Sequence, residues 1–190
     1  MADFAVVGNL TEAFSAAENM GYPVALKIAL PEILHKTEAR GVHLKLTDRQ
    51  TLSDAFGSMN TDRVIVQKMS PPGREVIIGG RQDREFGPVI LFGLGGIFVE
   101  VIRDVAMRIC PIDRGEAGRL IEDTKGARIL KGYRNQAPAD LEALKDCLVK
   151  VSQLLVEHPE VQNLDINPIV ILDEGQGCLI VDVKIQIERG

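Results

Sequence analysis

Two short polar clusters and one isolated lysine carry most of this sequence's capacity for chemistry. Lys27 lies inside the apolar run Val24-Ala25-Leu26-Lys27-Ile28, where burying an ammonium ion costs several kcal/mol unless an anion meets it. Either a phosphate satisfies it, or the side chain snorkels from an edge strand into water. His35 follows in the polar stretch from Pro31 to Gly41, next to Lys36. A lone loop histidine is in the simplest reading a solvated surface group. Placed between Lys27 and Lys36, an imidazole held beside an anionic ligand can act as a nucleophile toward phosphorus.

The second cluster is Asp165, Asn167 and Asp182. Asp165 and Asn167 alternate with Leu164 and Ile166, so in a strand the two polar side chains share one face. Asp182 interrupts the apolar run Leu179-Ile180-Val181-Asp182-Val183. If the two strands pair, two carboxylates and an amide converge, the hard-oxygen set that Mg²⁺ prefers beside a nucleotide phosphate. The competing reading is Asx-turn chemistry before Pro168 plus one satisfied strand aspartate. Glu75 adds acidic material, with an exposed edge-strand position as its simplest role. The run Gly93-Leu94-Gly95-Gly96 permits positive φ and close backbone approach, of a phosphate or of a neighbouring segment. No Gly-Lys-Ser/Thr follows it and no G-x-G-x-x-G opens a helix, so it is neither a Walker A loop nor a dinucleotide fingerprint. A tight turn or bulge accounts for it equally simply.

The elements that must position these groups are legible from caps and periodicity. Thr11 can cap a helix through Ala13, Phe14, Ala17 and Met20, stopped by Gly21 and Pro23. A strand is expected at Val24–Ala29, and residues 30–41 form a loop. Val42, Leu44 and Leu46 then alternate with His43 and Lys45 as a half-buried strand does. Asp48 caps a short helix fading by Met59. Strands are predicted at Val64–Met69, Glu75–Arg81, Val89–Gly93, Ile97–Asp104 and Val105–Ile109. The period changes in the second half, predicting helix over about 113–130 and from Pro138 to His158, where Leu141, Leu144, Leu148, Val151 and Leu155 mark one face. Strands at Asn163–Ile166, Ile169–Leu172 and Leu179–Ile187 close the chain. The class is α+β.

Composition bounds the function. The chain has 190 residues, 45% hydrophobic and 26% charged, an ordinary globular balance. A chain of this size buries roughly 70% of its unfolded surface and needs neither disulfides nor a structural metal. Aromatics are 4% with no Trp, so the core is aliphatic. The net charge of -5 and absence of a Lys/Arg block argue against nucleic-acid binding. Cys110, Cys147 and Cys178 are odd in number, widely spaced and without a C-x-x-C pair, which argues against a disulfide framework or zinc knuckle. They read as buried thiols of a cytoplasmic protein. The most apolar stretch, Pro88 to Ile102, contains Gly93, Gly95, Gly96 and Glu100 and falls short of the roughly 18 residues a membrane span needs. No signal peptide is expected.

In combination, GYPVALKI, PEILHKTEARGVHL, VIVQKM with PPGRE, RQDREFGPVILFGLGGIFVEVIRDVAMRICPI, LKGYR, and LDINPI followed by IVDVKI resemble the ATP-grasp domain of ADP-forming (NDP-forming) acyl-CoA synthetases. This is the acetate–CoA ligase group, related to succinyl-CoA synthetase β subunits. The resemblance covers nearly all of the chain from about Gly21. It implies an ATP-grasp fold of two α+β lobes with nucleotide between them: about 1–80 with a phosphate-covering loop, and 81–190 with the Mg²⁺ site. Lys27 then corresponds to the phosphate-contacting strand lysine, and Gln67, Lys68 and Met69 to the hinge whose backbone reads adenine. Glu75 is placed for ribose. Asn167 and Asp182 match the Mg²⁺ ligands, with Asp165 in the acidic position of that motif. His35 matches the relay histidine that passes phosphate between a phosphohistidine elsewhere and ADP. ATP/ADP and Mg²⁺ are the implied cofactors.

The departures are Asn163 where the group often has Glu, Arg40 where it often has Gly, Asn135 where GYRG is common, and a shortened stretch between Leu46 and Val64. The segment preceding the first helix is missing, so an N-terminally truncated domain, or one completed by another chain, is expected. A CoA-binding or CoA-ligase domain, or an α-type subunit, is the implied partner. The full enzyme is expected to be oligomeric and cytoplasmic, with no nucleic-acid or membrane partner. The alternative is a catalytically silent regulatory ATP-grasp module of a protein acyltransferase fusion. Retention of Lys27, His35, Asn167 and Asp182 together favours the enzyme. Acyl specificity is unread.

Overall fold

A computed structural model describes residues 1–29, 41–59, 61, 63–96, 104–134 and 136–188. His35, Lys36, Arg40, Asn135 and all of the predicted strand Ile97–Asp104 except Asp104 lie outside the described residues. The chain divides into two compact units, Met1–Ser70 and Pro71–Gly190.

The first unit comprises β1 (Phe4–Val7), α1 (Leu10–Met20), β2 (Val24–Ile28), β3 (Val42–Leu46), α2 (Arg49–Ser58) and β4 (Val64–Lys68). Its antiparallel sheet runs β1-β4-β2-β3. Strand β1 was not expected from the sequence. The helix cap lies upstream of the predicted Thr11, because the Asn9 side chain accepts from the Glu12 N–H at 3.0 Å. Asp48 caps α2 as expected, in a reciprocal capping box with Thr51. Both helices cover one face of the sheet, where Ala13, Ala17, Val24, Leu26, Leu52, Val64 and Val66 form the core. Each fully buried leucine here contributes about 2 kcal/mol. Strand β2 lies between β4 and β3, which overturns the edge-strand reading of Lys27.

The second unit comprises β5 (Arg74–Asp83), β6 (Gly87–Leu94), β7 (Val105–Ile109), α3 (Arg114–Glu122), α4 (Ala127–Leu130), α5 (Leu141–Glu157), β8 (Val161–Ile171), β9 (Cys178–Ile180) and β10 (Val183–Ile187). Its sheet runs β10-β8-β5-β6-β7, with β9 also paired to β8. β5 hydrogen-bonds to β6 and β8 along its length, so the division at Ser70 and Pro71 precedes the expected lobe boundary near residue 80.

Two predicted strands merge into β8, which runs straight through Pro168. Proline supplies no N–H to the ladder, and the neighbouring strands adjust instead. The register with β5 shifts between Val76 and Ile78. On the other side, the predicted strand Leu179–Ile187 breaks into β9 and β10 around Val181 and Asp182.

The predicted helix over 113–130 likewise divides into α3 and α4. Asp104 accepts the N–H groups of Lys125 (2.9 Å) and Gly126 (2.7 Å) at the break. A Cβ on Gly126 would overlap the Leu94 side chain, so the break is also a packing contact. Helix α5 starts at Leu141 rather than Pro138, since Asp140 is its cap and accepts from Ala143 N–H at 3.0 Å. Leu144, Leu148, Val151 and Leu155 pack on Val76, Ile78, Ile90, Phe92, Leu164 and Ile166 in one core. Among the described residues no helix is long and apolar enough to cross a membrane.

Candidate functional site

In the first unit, Val24, Leu26, Val64 and Val66 pack beneath the helices, so pleating puts Ala25, Lys27, Ile65 and Gln67 on the opposite face. There Lys27 pairs with Ile65, and Ala25 with Gln67. Lys27 is 7% exposed and Gln67 3%, and both have polar or charged interactions. A buried ammonium and a buried amide on one sheet face form a polar spot in an otherwise aliphatic unit. Lys68 points elsewhere: its ammonium hydrogen-bonds the carbonyls of Gly21 and Tyr22 and so pins the α1–β2 connection. The N–H groups of Lys68 and Met69 donate to Asp3 and Pro23 carbonyls, at 2.9 and 3.3 Å. Reading a base with the Met69 N–H therefore requires exchange of the Pro23 carbonyl.

In the second unit, Leu164 and Ile166 are buried while Asn163, Asp165 and Asn167 are exposed, the alternation that the sequence predicts. Asp165 stands opposite Lys184 on β10 and Gly79 on β5. Its carboxyl is pushed above the usual aspartate value, first by partial burial, and further by the Asp182 carboxylate, while Lys184 pulls it down. The Asn167 N–H donates to the Asp182 carbonyl at 3.1 Å, and the Val181 N–H to the Pro168 carbonyl at 3.1 Å. These two main-chain bonds seat Asp182 beside Asn167.

Glu75, exposed on β5, uses its carbonyl to accept the Gly95 N–H at 2.8 Å. A Cβ on Gly95 would lie 3.0 Å from that carbonyl. Within the run, Gly95 serves close backbone packing against Glu75, Gly93 packs against Asp104 and Val105, and Gly96 takes a positive φ. Asn163 donates its amide to Gln186 at 2.9 Å.

Among the described residues no three His, Cys, Asp or Glu side chains gather as a metal site. What the fold brings near one another are Asn167 and Asp182, through a main-chain bond, and the Asp165 and Asp182 carboxylates, which act on each other electrostatically. Their side chains offer hard oxygens, too few to complete a sphere, which suits Mg²⁺, an ion that keeps waters and shares nucleotide phosphates. Lys184 is the residue that sequence reasoning left out. Its spacing of two from Asp182 was the available signal, and the β8–β10 register brings it to Asp165.

Residues 1–187 match the ATP-grasp domain family. The chain is 40% identical to acetate–CoA ligase (ADP-forming) I of Archaeoglobus fulgidus over 97% of this chain and 28% of that protein. It is 38% identical to the β subunit of acetate–CoA ligase (ADP-forming) I of Pyrococcus furiosus, over 96% of this chain and 83% of the subunit. Acetyl-coenzyme A synthetase 1 of Ca. Korarchaeum cryptofilum, in complex with coenzyme A and Ca-AMPCP, superposes with a TM-score of 0.93 at 32% identity, covering 99% of this chain and 86% of that one. Another structure of that synthetase holds Mg-AMPPCP, with its phosphohistidine segment pointing towards the nucleotide binding site. The chain thus spans little more than a quarter of the A. fulgidus ligase, at 28%. With a family match along nearly its whole length and a β subunit largely covered by it, the chain belongs to the ATP-grasp family, in the group of ADP-forming acetate–CoA ligase β subunits.

Proposed function

We propose that this chain is the nucleotide-binding part of an ADP-forming acyl-CoA synthetase, exchanging phosphate between MgATP or MgADP and His35 for acyl-CoA formation or cleavage. The observation that carries the reading is the seating of Asp182 beside Asn167, with Asp165 near, on β8 and the adjoining segment. In this reading Asp165, Asn167 and Asp182 hold Mg²⁺. The bound ion neutralises phosphate charge and orients the transferring group. Lys27 supplies a cation on the sheet face it shares with Gln67, positioned for charge-assisted contact with a phosphate. Gln67, Lys68 and Met69 border the base, and Glu75 the ribose.

His35 acts as nucleophile: its ring nitrogen forms the N–P bond as the P–O bond to ADP breaks, and the reverse step returns phosphate to ADP. The net reaction is acid + CoA + ATP ⇌ acyl-CoA + ADP + phosphate. Its remaining steps require a CoA-ligase domain or α-type subunit, in an oligomeric, cytoplasmic enzyme without nucleic-acid or membrane partners. The phosphohistidine segment of the K. cryptofilum synthetase supports delivery of phosphate from such a part.

The test supplies the partner half, Mg²⁺ and γ-labelled ATP, and follows acid-labile, base-stable label on this chain. His35→Asn should abolish it. Label persisting in that variant sinks the relay assignment, and failure to bind ADP with Mg²⁺ sinks the nucleotide reading.

A further inference from the structure

Cys147 on α5 and Cys178 at the start of β9 are distant in sequence, yet the fold brings Cys178 against the helix turn that carries Cys147, and each thiol shifts the other's titration. Cys178 Sγ also lies 4.0 Å from the Ala143 carbonyl, one turn before Cys147 on the same face of the helix. Asp140 holds the approach. One of its carboxylate oxygens accepts from Ala143 N–H at 3.0 Å in the first turn of α5, and the other from Gly177 N–H at 2.8 Å, immediately before Cys178. Both residues are half-buried and pack against the core rather than within it. Cys110, by contrast, is buried.

The pair is chemically unequal. The neighbouring Cys147 side chain pulls the Cys178 thiol below its ordinary value. The Cys178 side chain, with burial, pushes Cys147 up. A thiolate-leaning sulfur with a second thiol against it is the arrangement of an attacking and a resolving cysteine.

We propose that Cys147 and Cys178 form a site of reversible oxidation that closes to an intramolecular disulfide on reaction with a hydroperoxide. The Cys178 thiolate attacks a peroxide oxygen, the O–O bond breaks, and the departing hydroxide takes a proton to become water. The Cys147 sulfur then displaces the sulfenic oxygen, which leaves as a second water while the S–S bond forms. Two thiols lose two electrons and two protons, and one hydrogen peroxide becomes two waters. The bond ties β9, which leads directly into Asp182, to α5.

The test exposes the reduced full chain to hydrogen peroxide, alkylates it in denaturant, and maps the peptides by mass. Two of the three thiols should escape alkylation and appear as a Cys147–Cys178 linked peptide in monomeric protein. Dithiothreitol should restore both. Cys110→Ser should leave the bridge intact, and Cys178→Ser should leave Cys147 alkylatable. Three alkylated thiols, a bridge to Cys110, a cross-link between chains, or a sulfinic Cys178 with Cys147 still free would each overturn the proposal. Mapping of the unsubstituted chain decides it even where a variant fails to fold.

Discussion

The Asn167 backbone N–H donates to the Asp182 backbone carbonyl at 3.1 Å, so the main chain holds side by side the two residues proposed to bind Mg²⁺. The bond lies where the chain opposite β8 passes from β9 to β10, at Val181 and Asp182, beside Pro168. A main-chain bond therefore sets the position of two candidate metal-binding side chains. Substituting those side chains leaves the frame that carries them in place.

Asp182→Ala is accordingly expected to fold normally while weakening Mg²⁺-dependent ADP binding by at least about 10-fold, the scale on which disturbed metal sites lose affinity. Titration with ADP at several Mg²⁺ concentrations, beside a thermal melt, checks it. Unchanged affinity would remove Asp182 from the site.

Lys27→Met keeps length and apolar volume in the centre of the first sheet while deleting the cation. Hydrogen bonds to charged groups are worth about 1.5–3 kcal/mol, so ADP binding should fall by about 10-fold or more with the circular dichroism spectrum retained. Equal binding by both proteins would return Lys27 to a purely structural role.

Asp140 links the cap of α5 to Gly177, and the backbone N–H groups of Ala143 and then Gly177 hold its carboxyl below the usual aspartate value. A depressed folded-state value means that the stabilisation is present above the unfolded value of about 3.9 and is lost as pH falls through the folded one. Asp140→Asn keeps one acceptor oxygen and loses the other, and should lower stability near neutrality by about 1 kcal/mol. The gap between the two proteins should close progressively below about pH 4. Melting curves from neutral to acid pH would show parallel lines if the carboxylate has no such role.

Gly126→Ala drives a methyl group into Leu94 and should cost about 1–3 kcal/mol in urea unfolding. In a Leu94→Ala background the same substitution should cost clearly less, giving a coupling energy between the two positions. Simple additivity would disprove the packing explanation.

Local features were legible because they depend on near neighbours. The Asp48–Thr51 box, the apolar face of α5 from Leu144 to Leu155, and the shared face of Asp165 and Asn167 follow from caps and from periods of 3.6 and 2. The resemblance of whole segments pointed to the ATP-grasp fold that the two sheets display. His35 and its loop lie outside the described residues, so its role rests on the sequence alone.

What the sequence could not decide was which strands become neighbours, since pairing joins residues far apart in the chain. Lys27 reads as an edge residue until β2 is seen between β4 and β3. Pro168 reads as a strand end until β5, β9 and β10 adjust around it. Lys184 acquires meaning only opposite Asp165. The three cysteines show no pairing motif, yet Asp140 brings two of them together. By itself the sequence determined residue types, periods and family. The tertiary structure decided burial, register and adjacency, because these arise from hydrogen bonds and packing between distant segments that no local pattern encodes.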